Sequence, residues 1–119
     1  PRSPFHLNGT NSGFCALNLA YLMKPARVFL LGYDMQRAPD GNPYWYPVYP
    51  WANPEGGTKP ARYNLWSRQF SYAAETFKRR GIEVYNVSHR TALKAFPIIG
   101  FKEFMGKLNE HSETDIPVL

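Results

Sequence analysis

The segment Asn8–Met35, NGTNSGFCALNLAYLMKPARVFLLGYDM, most constrains what this chain can become. It reads as a polar, glycine-bearing loop, a nearly all-apolar helix, a short turn and a buried strand that ends at Gly32-Tyr33-Asp34. A loop that enters a helix presents free backbone N–H groups and the positive end of the helix dipole, a site suited to an anion. An acidic residue just beyond the carboxyl end of a parallel strand lies where open α/β sheets bind ligands. Together these features describe a nucleotide- or phosphate-binding half-domain. They equally describe an ordinary α/β connection with a capped helix and a turn aspartate.

The helix is bounded on both sides. Asn11 or Ser12 can cap its start, and Pro25 closes it after about Met23. Phe14, Cys15, Ala16, Leu17, Leu19, Ala20, Leu22 and Met23 leave almost no polar face, which predicts a largely buried helix. Val28-Phe29-Leu30-Leu31 then forms a continuous apolar run, expected of a strand covered on both faces. Upstream, Pro4–Leu7 can form a short edge strand.

Residues 36–63 break this pattern. They hold six of the eleven prolines, with Tyr44, Trp45, Tyr46, Tyr49, Trp51 and Tyr63 among them. No helical or strand period survives that proline density. An insertion of this length is expected to act as a lid, a partner surface or an oligomer contact, or to pack on its own domain through its rings.

Regular pattern resumes with Asn64 as a cap and a helix over about Leu65–Arg80, striped by Phe70, Ala73, Ala74 and Phe77. Gly81 is placed as its C′ residue. Ile82–Val87 alternates as a strand less buried than the first. Thr91–Phe96 is expected to make a helical turn stopped by Pro97. Phe101–Leu108 reads as a short amphipathic helix, with a flexible tail over 109–119. The order predicts an α/β fold: a small Rossmann-like parallel sheet of two or three strands flanked by helices. Such a narrow sheet is half of a doubly wound domain, completed by further sequence or by another subunit.

Composition bounds the function classes. The chain has 119 residues, 44% hydrophobic and 19% charged, which is the balance of one globular domain. No apolar run approaches the roughly 20 residues of a membrane span, and no leader resembling a signal peptide is present. With one cysteine, Cys15, these features predict a cytoplasmic protein. The first residue is not methionine, which predicts a piece of a longer chain. The net charge of +5 favours anionic partners. The one basic cluster, Lys78-Arg79-Arg80, also complements a helix carboxyl end, so it gives no specific nucleic-acid signal.

Three segments, in order, carry a family resemblance. Asn11-Ser12-Gly13 with its apolar helix, followed by Arg27-Val28-Phe29-Leu30-Leu31-Gly32-Tyr33-Asp34-Met35, resembles bacterial CMP-sialic-acid-dependent sialyltransferases. It equally resembles the Rossmann-like family related to archaeal 6-hydroxymethyl-dihydropterin diphosphokinase. Gly81–Ser88 and Ala92–Pro97 are similar to the closing segment of both groups. The likeness is to the carboxyl-terminal half only.

The resemblance implies that Asn11, Ser12 and Gly13 approach a nucleotide through backbone atoms, and that Gly32, Asp34 and Ser88 line the same crevice. It implies that Tyr44, Tyr46 and Tyr49, on a lid, hold the phosphate of a CMP-type donor. No cofactor is required under this reading. The diphosphokinase relationship would instead imply Mg²⁺, for which Asp34 and Asp40 are the available carboxylates. The family's histidine between lid and second helix has no counterpart. Of His6, His89 and His111, only His89 falls at the ligand end of the sheet, as a candidate base or a plain loop residue. The expected partner is a nucleotide or nucleotide sugar, with self-association or a separate amino-terminal half as further possibilities. The non-enzymatic alternative is an interaction module of a phage or mobile-element protein that works through the aromatic insertion.

Overall fold

A computed structural model describes residues 11–37, 39 and 60–110. The elements are α1 (Ser12–Leu22), β1 (Arg27–Leu30), α2 (Pro60–Arg79), β2 (Glu83–Asn86) and α3 (Phe101–Asn109). The strands pair in parallel, with Arg27 beside Glu83 and Leu30 beside Asn86, so the described architecture is α/β with a two-stranded sheet. Alternation along the strands sends Val28, Leu30, Val84 and Asn86 to one face, and Arg27, Phe29, Glu83 and Tyr85 to the other.

The first face carries the core. Leu17 of α1, Phe70 and Phe77 of α2, Leu30, Val84, Leu93 and Phe96 form one buried cluster. Phe70 is its centre, edge-on to Phe14 at 5.1 Å, to Tyr33 at 5.9 Å and to Phe96 at 6.5 Å. The second face is covered by α3, where Phe104 meets Phe29 at 4.8 Å and Phe29 stacks on Tyr85. Arg27 braces this layer, with its Nε 3.0 Å from Glu83 and Nη1 donating to the Lys107 carbonyl.

The helix ends follow local chemistry. Asn11 is the N-cap of α1, its Oδ1 accepting from the Phe14 N–H at 2.8 Å. Gly81 closes α2 at φ +70°, with Ile82 N–H donating to Phe77 and Gly81 N–H to Lys78, a Schellman arrangement.

Several expectations are corrected. α2 begins at Pro60, so Asn64 lies inside the helix and the insertion ends before residue 63. Proline fits a helix start because its fixed φ is already helical and its missing N–H would have had no partner. β1 spans Arg27–Leu30, and Leu31 is 55% exposed, because the strand leaves the helix-covered part of the sheet there. β2 is the better buried strand: Val84 and Asn86 are buried, against Leu30 alone in β1. Its outer edge is partly covered, since Asn86 bridges Ile98. The further edge strand offered by the sequence, Pro4–Leu7, lies outside the described residues. The segment 91–96 is irregular instead of helical, since the Thr91 side chain bonds the Leu93 N–H and diverts the backbone from a helical turn. α1 is half-buried instead of largely buried. α3 extends through Asn109, inside the segment expected to be flexible. No described helix is long and apolar enough to cross a membrane.

Candidate functional site

The carboxyl ends of both strands and the amino end of α1 meet through Tyr33. The sharp exit of β1 through Gly32, at φ +78°, directs Tyr33 back over the helix. Its hydroxyl donates to the Gly13 carbonyl at 2.9 Å. The Tyr33 N–H donates to Ser88 Oγ at 2.7 Å, and the Tyr33 carbonyl accepts from the Thr91 hydroxyl. Burial raises the Tyr33 pKa above its ordinary 10.0, so the phenol stays a donor.

Beneath it lies a satisfied polar network. Asn86 is fully buried, its Nδ2 donating to Thr91 Oγ1 at 3.1 Å and to the Leu93 carbonyl at 3.2 Å. Its Oδ1 accepts from the Ser88 N–H at 3.0 Å. The Ala92 N–H donates to the Asp34 carbonyl at 2.8 Å, joining the two strand exits a second time. This network ties the two strand exits to each other.

The predicted site residues divide into two groups. Asn11 and Ser88 serve the framework, one as cap and one as a buried acceptor for Tyr33. Gly13 is tightly packed: a Cβ there would lie 3.0 Å from Tyr33 Cε1 and 3.3 Å from Asn11 Oδ1. Gly32 is required by its backbone angle, with open space around it. Ser12, Asp34 and His89 are exposed, and their side chains have no partner among the described residues. The N–H groups of Ser12 and Gly13 are likewise free of described partners, and the first turn of α1 has no acidic side chain. The helix end therefore keeps its capacity for an anion. Tyr44, Tyr46, Tyr49, Asp40, His6 and His111 lie outside the described residues.

Tyr33, Asn86 and Thr91 were not singled out from the sequence. Only Asn86 left a signal there, an amide in an otherwise alternating strand. The described surface grooves lie elsewhere. One of about 510 Å³ follows α2 and the edge of β2 past Ala74, Phe77, Val84 and Pro97, and its walls are mostly apolar. Cavity size and polar chemistry do not coincide, and the free N–H donors and Asp34 mark the strand ends. Among the described residues no three of His, Cys, Asp and Glu come together as a metal-binding group. Comparison with protein-family models, curated proteins and solved structures finds no match to this chain.

Proposed function

We propose that this chain is a Rossmann-like half-domain, sialyltransferase-like in plan, that binds a nucleotide or nucleotide sugar at the carboxyl end of its parallel sheet. One observation carries the reading: the Tyr33–Gly13 hydrogen bond sets the free N–H groups of α1 beside the exit of β1 and Asp34. The parallel pairing of β1 and β2, with α2 between them in sequence, supports the same placement.

In this reading a phosphate sits on the N–H groups of Ser12 and Gly13, where the dipole favours negative charge. The exposed Asp34 carboxylate accepts from hydroxyls of the sugar and keeps clear of the phosphate. If the assembled enzyme transfers sugar from a CMP-type donor, those donors stabilise the charge that grows on the leaving phosphate. His89 supplies a base only once a ligand or partner orients it.

Thermal shift of the folded chain with CMP, CDP, ATP and GTP tests the proposal. A ligand at about 100 times its Kd stabilises by about 2.7 kcal/mol, a readily measured rise in Tm. Stabilisation by a cytidine nucleotide is the expected result, and its loss in Ser12→Pro assigns the site. Ser12 is the first helical residue after the cap, where proline keeps the helix and deletes only the N–H donor. No response to any of the four nucleotides overturns the reading.

A further inference from the structure

The outward side of α1 carries an inference independent of the nucleotide reading. The helix buries one stripe on its own domain: Phe14 and Tyr21 meet Phe70 and Phe77, and Leu17 joins the core. At 3.6 residues per turn, Ser12, Ala16, Leu19 and Met23 form a second stripe on the opposite side. All four are exposed, Leu19 at 48% and Met23 at 44%. A helix that is apolar on two opposite sides is built to lie between two bodies.

Charge and shape indicate what the second body is. The segment Ser12–Met23 contains no charged residue, whereas α2 and α3 both carry lysine or arginine. On a chain of net charge +5, α1 is the described helix through which a second copy can approach without bringing cations together. The stripe is also self-complementary. A two-fold axis crossing α1 between Leu17 and Asn18 places Ser12 opposite the second copy's Met23, and Ala16 opposite its Leu19. Each large side chain then faces a small one, as an isologous contact requires, and small residues allow the helix axes to come close.

We propose that the chain self-associates as a two-fold dimer through antiparallel α1 helices, with Leu19 and Met23 of each copy packed over Ala16 and Ser12 of the other. An 11-residue helix is about 16 Å long, and its stripe is much smaller than the roughly 800 Å² per partner of a stable complex. The dimer is therefore weak and reversible.

Sedimentation equilibrium on the full chain, from micromolar to near-millimolar concentration, tests this. The expected result is a monomer–dimer equilibrium that Leu19→Asp weakens at least about tenfold, as loss of a central apolar anchor does. Ala16→Leu also weakens it, because the added side chain fills the notch for Leu19 while making the surface more apolar. Tyr72→Asp, at an exposed aromatic on α2, leaves it unchanged. Circular dichroism verifies that each variant is folded. A chain that is monomeric throughout, a dimer unaffected by Leu19→Asp, or one strengthened by Ala16→Leu overturns the proposal.

Discussion

The Tyr33 hydroxyl donates to the carbonyl of Gly13 at 2.9 Å, and the same ring occupies the space a side chain at position 13 would need. Tyr33, beyond the end of β1, thereby ties the strand exit to α1 and disfavours a side chain at the helix's second position.

Tyr33→Phe removes that hydrogen bond, while the Gly13 carbonyl keeps its place in the helical ladder. A loss of about 1 kcal/mol in urea unfolding is expected at neutral pH. The comparison also isolates a pH effect. The folded pKa is raised above the unfolded 10.0, so above that pH the unfolded chain gives up the proton more readily than the folded one. The Tyr33 contribution is complete below pH 10 and declines as pH rises through the folded value. Unfolding curves from pH 8 to 11 should show the wild type losing more stability than Tyr33→Phe.

Gly13→Ala puts intrinsic propensity against packing. Alanine in a helix is favoured over glycine by up to about 1 kcal/mol, but the new Cβ meets a ring held by its own hydrogen bond. Packing should win, with a net loss of about 1–2 kcal/mol. In a Tyr33→Ala background the ring is gone and only the 3.3 Å approach to Asn11 Oδ1 remains, so the same change should cost markedly less. Chemical denaturation of the four chains of this double-mutant cycle reads that coupling directly.

Asn86→Leu retains side-chain bulk but strands the Ser88 N–H and the Leu93 carbonyl in the interior. Destabilisation of about 2–4 kcal/mol is expected from the lost buried partners. Amide exchange should accelerate first at Ser88 and in residues 91–93, ahead of global unfolding.

Phe70→Ala empties the centre of the core, where the ring is 0% exposed and touches Phe14, Tyr33 and Phe96. The expected cost is about 3–5 kcal/mol, a large share of the roughly 5–15 kcal/mol available to a domain. Thermal unfolding should show a markedly lower Tm, and near-ultraviolet circular dichroism a reduced aromatic signal.

Much of the fold was legible because it is written in local chemistry. The Asn11 cap, the closure of α2 by Gly81 and both strands follow from residues that act on their immediate neighbours. What went wrong was decided by distant neighbours or by competing local preferences. Asn64 is as good a cap as Asn11, but Pro60 starts the helix earlier. Apolar content alone could not say that β2 would be the better buried strand, since that depends on α2 above it and Ile98 beside it.

The candidate site divides in the same way. Sequence pattern marked Ser12, Gly32 and Asp34, and the structure has them at a helix start and a strand exit. It named Gly13 and Ser88 as ligand contacts and did not reveal the framework role that the structure gives them, seating the Tyr33 ring and accepting its N–H.

By itself the sequence determined the α/β order, the Asn11 cap of α1 and the Gly81 closure of α2, because these rest on interactions within a few residues of chain. The tertiary structure alone decided that Tyr33 bridges the strand exit to α1, that Asn86 anchors the rim, and that half of α1 faces outward. The Tyr33 bonds join residues 20 and 58 positions apart. The Asn86 bonds need the chain after β2 to fold back on the strand end, and no local pattern encodes which partner a side chain meets once the chain has closed.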